Sequence, residues 1–277
     1  MTERPLLSIY PAIRDDIADL TTRRPLPGRG VPHLDPFLFL NHHGPQTYPP
    51  RNHGLPFGPH PHRGFETVTF VLAGSLAHSD SSGAQSVVKD GGVQWMTAGS
   101  GIVHSELSPD TFKAQGGPLE ILQLWVNLPA ALKFTEPAYR EVPAKLIPEV
   151  DLGEGATLRP VSGFDGAPVD SLTDIALGTL TLEAGSEISL PIPSDHTIFF
   201  YTIRGEAKAG GSTVPEHHLA TFGSGEHLVI AAEERVQILL GHAEPIREPI
   251  VAHGPFVMNS EREIVEAFEA YRRGEFA

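Results

Sequence analysis

Two stretches decide how this chain reads: residues 54–74, GLPFGPHPHRGFETVTFVLAG, and residues 94–106, QWMTAGSGIVHSE. Side chains two residues apart on an extended strand project from the same face. His60 and His62 therefore share a face, and so do His104 and Glu106. Each pair lies beside a glycine-containing turn and short runs of β-branched and aromatic residues such as ETVTFVLAG and GIVHSEL, the pattern of short strands. Four donors can thus converge from two strands on one ion. Three neutral imidazoles and a carboxylate suit Fe(II), Mn(II), Co(II), Ni(II), Cu(II) or Zn(II), and in an octahedral setting leave two positions for substrate or dioxygen. Glu66 shares the strand parity of His60 and His62, but an extended strand would carry it about 13 Å beyond His62, and without a bulge it cannot reach the same ion.

Outward from these stretches the same texture continues. The 277 residues suit two domains of about 130 residues each. The 28 Gly and 26 Pro cut the apolar sequence into strand-length pieces, which predicts an all-β sandwich or barrel in each half. A proline-rich stretch from Pro129 to Pro148 interrupts the strands, so the boundary is expected near residue 135, with one domain over 1–135 and a second over 136–277. Laying FFYTIRGEAKAG (199–210) over VTFVLAGSLAHS (68–79) puts Gly205 on Gly74, a sign of internal duplication. The same offset puts Pro191 and Pro193 on His60 and His62, so the second half is expected to bind no metal. Beyond it, Ser260 and Glu263 form a capping-box pattern, and Ile264, Val265, Phe268 and Tyr271 recur at helical spacing; an amphipathic helix is predicted there, docked on the β core.

Composition narrows the chemistry. A net charge of −14 without a basic cluster argues against direct contact with nucleic acid, whose phosphates need a cationic face. With no cysteine, disulfides, thiolate sites and thiol catalysis are excluded, and a metal must rely on histidine and carboxylate. No secretory leader or apolar run of membrane-spanning length stands out, so the expectation is a cytoplasmic, membrane-free monomer. Trp95 and Trp125 sit in apolar strand contexts and read as core. His42, His43 and His53 precede the first stretch and read as loop residues, solvated or near the site.

The spacing Gly54-x5-His60-x-His62-x3-Glu66-x7-Gly74 resembles the first cupin motif, and Gly101-x2-His104 resembles the core of the second. Gly99 stands where that second motif usually has proline. The strings HPHRGFETV (60–68), QWMTAGSGIVHSE (94–106), LQLWVNLP (122–129) and REPIVAHGPFVMN (247–259) resemble the pirin family in particular. The resemblance implies two jelly-roll cupin barrels in tandem with a C-terminal helix. It also implies a mononuclear site held by His60, His62, His104 and Glu106, with Fe(II) the first candidate, and Glu66 outside it. Two alternative functions are implied as well: a quercetin 2,3-dioxygenase acting on a flavonol and dioxygen with release of carbon monoxide, in which Glu106 is also catalytic, or a metal- or redox-sensing partner of a transcription factor or metabolic enzyme.

Overall fold

A computed structural model describes residues 2–276, which form two compact units. Chain order does not separate them. Among the described residues, the unit carrying His60 takes residues 14–24, 37–145 and 246–276; the other takes residues 2–13, 25–36 and 146–245. A single cut near residue 135 therefore does not describe the molecule. Strand Ala138–Val142 pairs with Val93–Thr97 in the first unit, and strand Leu6–Pro11 pairs with His218–Phe222 in the second.

In the first unit a seven-stranded sheet runs in the order Ala138–Val142, Val93–Thr97, Phe65–Ala73, Gly117–Asn127, Phe37–Tyr48, Thr22–Leu26, Ile13–Arg14. A four-stranded sheet runs Phe57–His62, Ile102–Leu107, Ser75–Asp80, Gln85–Lys89. Side chains from both sheets, among them Val71 and Ile121 from one and Leu76 and Val88 from the other, share one buried cluster. The other unit repeats the plan with a seven-stranded and a four-stranded sheet. There Leu180, Phe200 and Leu240 meet Ile188, Leu228 and Ile230 in an aliphatic and aromatic core.

The expected closed barrels are not formed. Among the described residues every sheet is open, with two distinct edge strands and no ladder joining the sheets of a unit. The chain passes from one sheet to the other at glycine corners. Gly64 (φ 87°) separates Phe57–His62 from Phe65–Ala73, and Gly74 (φ 89°) separates Phe65–Ala73 from Ser75–Asp80. At these φ values an L side chain is strained, and the ladder ends where the chain turns.

The C-terminal helix Glu261–Arg272 starts as expected: Ser260 Oγ accepts from Glu263 N, and the Glu263 carboxylate accepts from Asn259 N. Its buried face is Ile264, Ala267 and Ala270, whereas Val265 and Tyr271 are exposed. It packs with Phe256 and Met258 of the hairpin Val251–His253/Phe256–Met258 and with Val103. No described helix is long and apolar enough to cross a membrane.

Candidate metal centre

Strand Phe57–His62 pairs antiparallel with Ile102–Leu107, placing His104 opposite His60 and Ile102 opposite His62. Period-two alternation then aims three imidazoles at one point. One nitrogen from each of His60, His62 and His104 lies within 4.8 Å of the others, with ring centroids 4.4 to 5.0 Å apart.

Burial keeps the rings neutral. It lowers the His60 pKa, takes His62 down to about 3 and holds His104 well below the usual imidazole value, with the neighbouring imidazoles adding to the effect at His62 and His104. His60 Nδ1 bonds the Gly58 carbonyl at 2.7 Å and His62 Nδ1 the Pro255 carbonyl at 3.2 Å. A carbonyl only accepts, so Nδ1 carries the proton in both rings and Nε2 keeps the lone pair. His104 is buried with neither ring nitrogen partnered among the described residues. A buried polar atom without a partner is costly, and a metal ion on one of these nitrogens would satisfy it. The donor set fits a mononuclear site of the kind that takes a divalent transition metal.

Glu106 stands outside this triad. It lies two residues beyond His104 on the same strand, but the pairing slips between His104 and Glu106, which faces Phe57. Its carboxylate is held by amides and a hydroxyl: Gln94 Nε2 and Thr69 Oγ1 (3.3 Å) donate to Oε1, and Gln123 Nε2 (2.7 Å) donates to Oε2. Complete burial outweighs these bonds and pushes its pKa up to about 7. Glu66 sits past the Gly64 corner on the other sheet, where it accepts from Trp95 Nε1 (3.0 Å) and Thr97 Oγ1 (2.7 Å); it is no part of the triad. A corner in the chain, rather than a long extended strand, takes Glu66 away altogether.

Three features escaped the sequence reading. Trp125 is a wall of the site: its ring lies 5.2 Å from His62, stacked on Phe39 at 4.7 Å and beside Phe65 at 4.5 Å. Its alternation with Gln123, on the strand face opposite Leu124, was the available signal. His78 is buried between Tyr139, stacked 3.8 Å away, and His104 at 5.5 Å, and it bonds Asp80 at 2.7 Å. His42 and His43 are buried strand residues, bonded to Glu120 and Thr22; only His53 is an exposed loop residue.

Comparison with known proteins agrees with this architecture. The family model described as Pirin matches residues 19–126, and that described as Pirin C-terminal cupin domain matches residues 178–277. A Pseudomonas aeruginosa protein whose name provisionally assigns it quercetin 2,3-dioxygenase activity is 40% identical over 249 residues, covering 88% of this chain and 87% of the relative. A pirin-like protein of Solanum lycopersicum is 37% identical over 263 residues, covering 91% and 85%. The crystal structure of a quercetin 2,3-dioxygenase from Acinetobacter baumannii superposes with a TM-score of 0.91 at 33% identity over 99% of both chains. Motifs, paired-sheet architecture and full-length similarity together establish that the chain belongs to the pirin family.

Proposed function

We propose that this chain is a flavonol 2,3-dioxygenase of the quercetin type that uses one divalent transition metal, held by His60, His62, His104 and Glu106, with Fe(II) the first candidate. The observation carrying the proposal is the triad of neutral imidazoles, half-buried at His60 and buried at His62 and His104, in which His104 has no hydrogen-bond partner among the described residues. The similarity to the Acinetobacter baumannii quercetin 2,3-dioxygenase supplies the substrate class. A bound ion of this kind supplies Lewis acidity toward adjacent hydroxyl and carbonyl oxygens and a redox partner for dioxygen.

The protein's own groups do the rest. Glu106, two residues beyond His104 on the same strand, is the carboxylate available to accept the flavonol hydroxyl proton. Gln94 and Gln123 keep its oxygens in place by donating to both. The ring surface of Trp125, backed by Phe39 and Phe65, offers an apolar wall on which a flat aromatic substrate can stack.

The test is aerobic quercetin turnover by protein loaded separately with Fe(II), Mn(II), Co(II), Ni(II) or Cu(II), beside a His60→Ala control. Metal-dependent loss of flavonol absorbance with carbon monoxide released is expected. Inactivity with every metal, despite full loading, would refute the enzyme and turn attention to a metal-sensing regulatory role.

A further inference from the structure

The proposed chemistry rests on the strands Phe57–His62 and Ile102–Leu107, yet a third segment, from Pro255 to Phe276, bears on both. The Pro255 carbonyl bonds His62 Nδ1 at 3.2 Å. Residues just beyond Pro255 anchor that carbonyl. Val257 N donates to Arg63 O at 3.1 Å, and Val257 O accepts from Lys133 Nζ at 3.0 Å. The same ammonium donates to Gly64 O at 2.8 Å and Asn127 Oδ1 at 2.7 Å. All three protons of a fully buried Lys133 are thus used, joining the corner behind His62 to the hairpin. The contact has no slack: a Cβ on Gly64 would meet Val257 O at 2.0 Å.

A second brace lies at the end of the segment. The Arg63 guanidinium sits 4.6 Å from the Phe276 ring centroid, and Arg63 Nε donates to Ser100 O at 2.6 Å. The Phe276 ring also fills the space beside Gly101, where a Cβ would come within 2.7 Å of it. One ring therefore bears on the residue after His62 and on the turn that leads to His104.

We propose that Pro255–Phe276 is a positioning element of the metal centre, in which the Pro255 carbonyl fixes the His62 tautomer, Lys133 anchors the segment carrying that carbonyl through its bond to Val257 O, and Phe276 sets the two histidine-bearing turns against each other. This rests on the reading of His60, His62 and His104 as a metal site. Partners that orient metal-bound imidazoles through their second nitrogen typically contribute 10- to 100-fold in affinity.

The test uses full-length protein loaded with Co(II), measuring its visible ligand-field spectrum and its rate of release to a chelator. On Zn(II)-loaded, ¹⁵N-histidine protein, the His62 tautomer is read by NMR. Lys133→Met and Phe276→Leu are compared with the parent, and His62→Ala reports on the site itself. The expected result is release about 10- to 100-fold faster in both variants, with an altered Co(II) spectrum and, in Lys133→Met, a weakened Nδ1–H signature at His62. If Lys133→Met does not fold, Phe276→Leu decides. Parent-like release and spectrum in the folded variants would overturn the positioning role. Undiminished Co(II) binding by His62→Ala would instead overturn the metal site on which it rests.

Discussion

Replacing Glu106 by glutamine separates two roles of one carboxylate. Metal-free, its pKa stands at about 7 against an ordinary 4.5, because it is buried. An unfolded chain releases this proton near pH 4.5, and the folded chain keeps it to about pH 7, so between these values the native state binds more protons and stability falls as pH rises. The difference amounts to roughly 3 kcal/mol, at about 1.36 kcal/mol for each pH unit of displacement. An amide has nothing to titrate, so Glu106→Gln should gain that much relative to the parent between pH 4.5 and pH 7. Urea unfolding followed by fluorescence measures it in the right place, since both tryptophans, Trp95 and Trp125, lie in the unit that carries Glu106. The substitution is not free of cost: one atom of the new amide is a donor and must face Gln94 or Gln123. Gln94 is the less able to turn over, because its Oε1 accepts from the Tyr139 hydroxyl at 3.3 Å. That cost does not vary with pH and drops out of the comparison. With metal restored, three imidazoles should retain the ion while turnover falls about 10²- to 10⁴-fold, the usual weight of a general base. Parallel pH–stability curves for parent and variant would refute the burial argument, and parent-like turnover at equal metal content would remove the carboxylate from the chemistry.

Three further outcomes are expected. His104→Ala should lose metal loading while its circular dichroism stays β-like, because the imidazole has no protein hydrogen bond to lose; global unfolding would show that the ring is structural. Trp125→Leu should raise KM for the flavonol about 3- to 10-fold, matching an aromatic contact of about 0.5–1.5 kcal/mol, and an unchanged KM would take the ring out of substrate binding. In the metal-free protein the buried histidines should cost stability on acidification below pH 6.5, against the Glu106 contribution, which runs the other way. His43 and His242, held at about 3 and about 4 by burial, stay neutral while the unfolded chain takes up protons, so the unfolded state gains. For His242 the loss is roughly 3 kcal/mol by pH 4, and a His242→Asn variant with the same acid limb as the parent would disprove it.

The candidate metal ligands could be picked out in the sequence because their pairing depends on local geometry. The spacing of His60 and His62, and of His104 and Glu106, fixes which side chains share a strand face whatever the strand pairs with. The absence of cysteine restricted the donors, and the glycine-punctuated apolar runs determined an all-β chain with a capped helix after Ser260. Tertiary structure alone decided whatever depends on distant partners. Hydrogen bonding left the sheets open, and the Gly64 corner sent Glu66 to another sheet. Gln94, Gln123 and Thr69 met around Glu106 only because two sheets face each other. Trp125, indistinguishable from a core residue in LQLWVN, became a wall of the site because its face of the strand looks toward His62. Residues 246–276 returned to the unit of the histidines because Lys133 Nζ donates to Val257 O, the Arg63 carbonyl accepts from Val257 N, and Gly64 leaves the space Val257 O fills. Alternation along a strand specifies which residues are neighbours on one face; what that face meets is set by contacts between residues far apart in the chain, which no local pattern encodes.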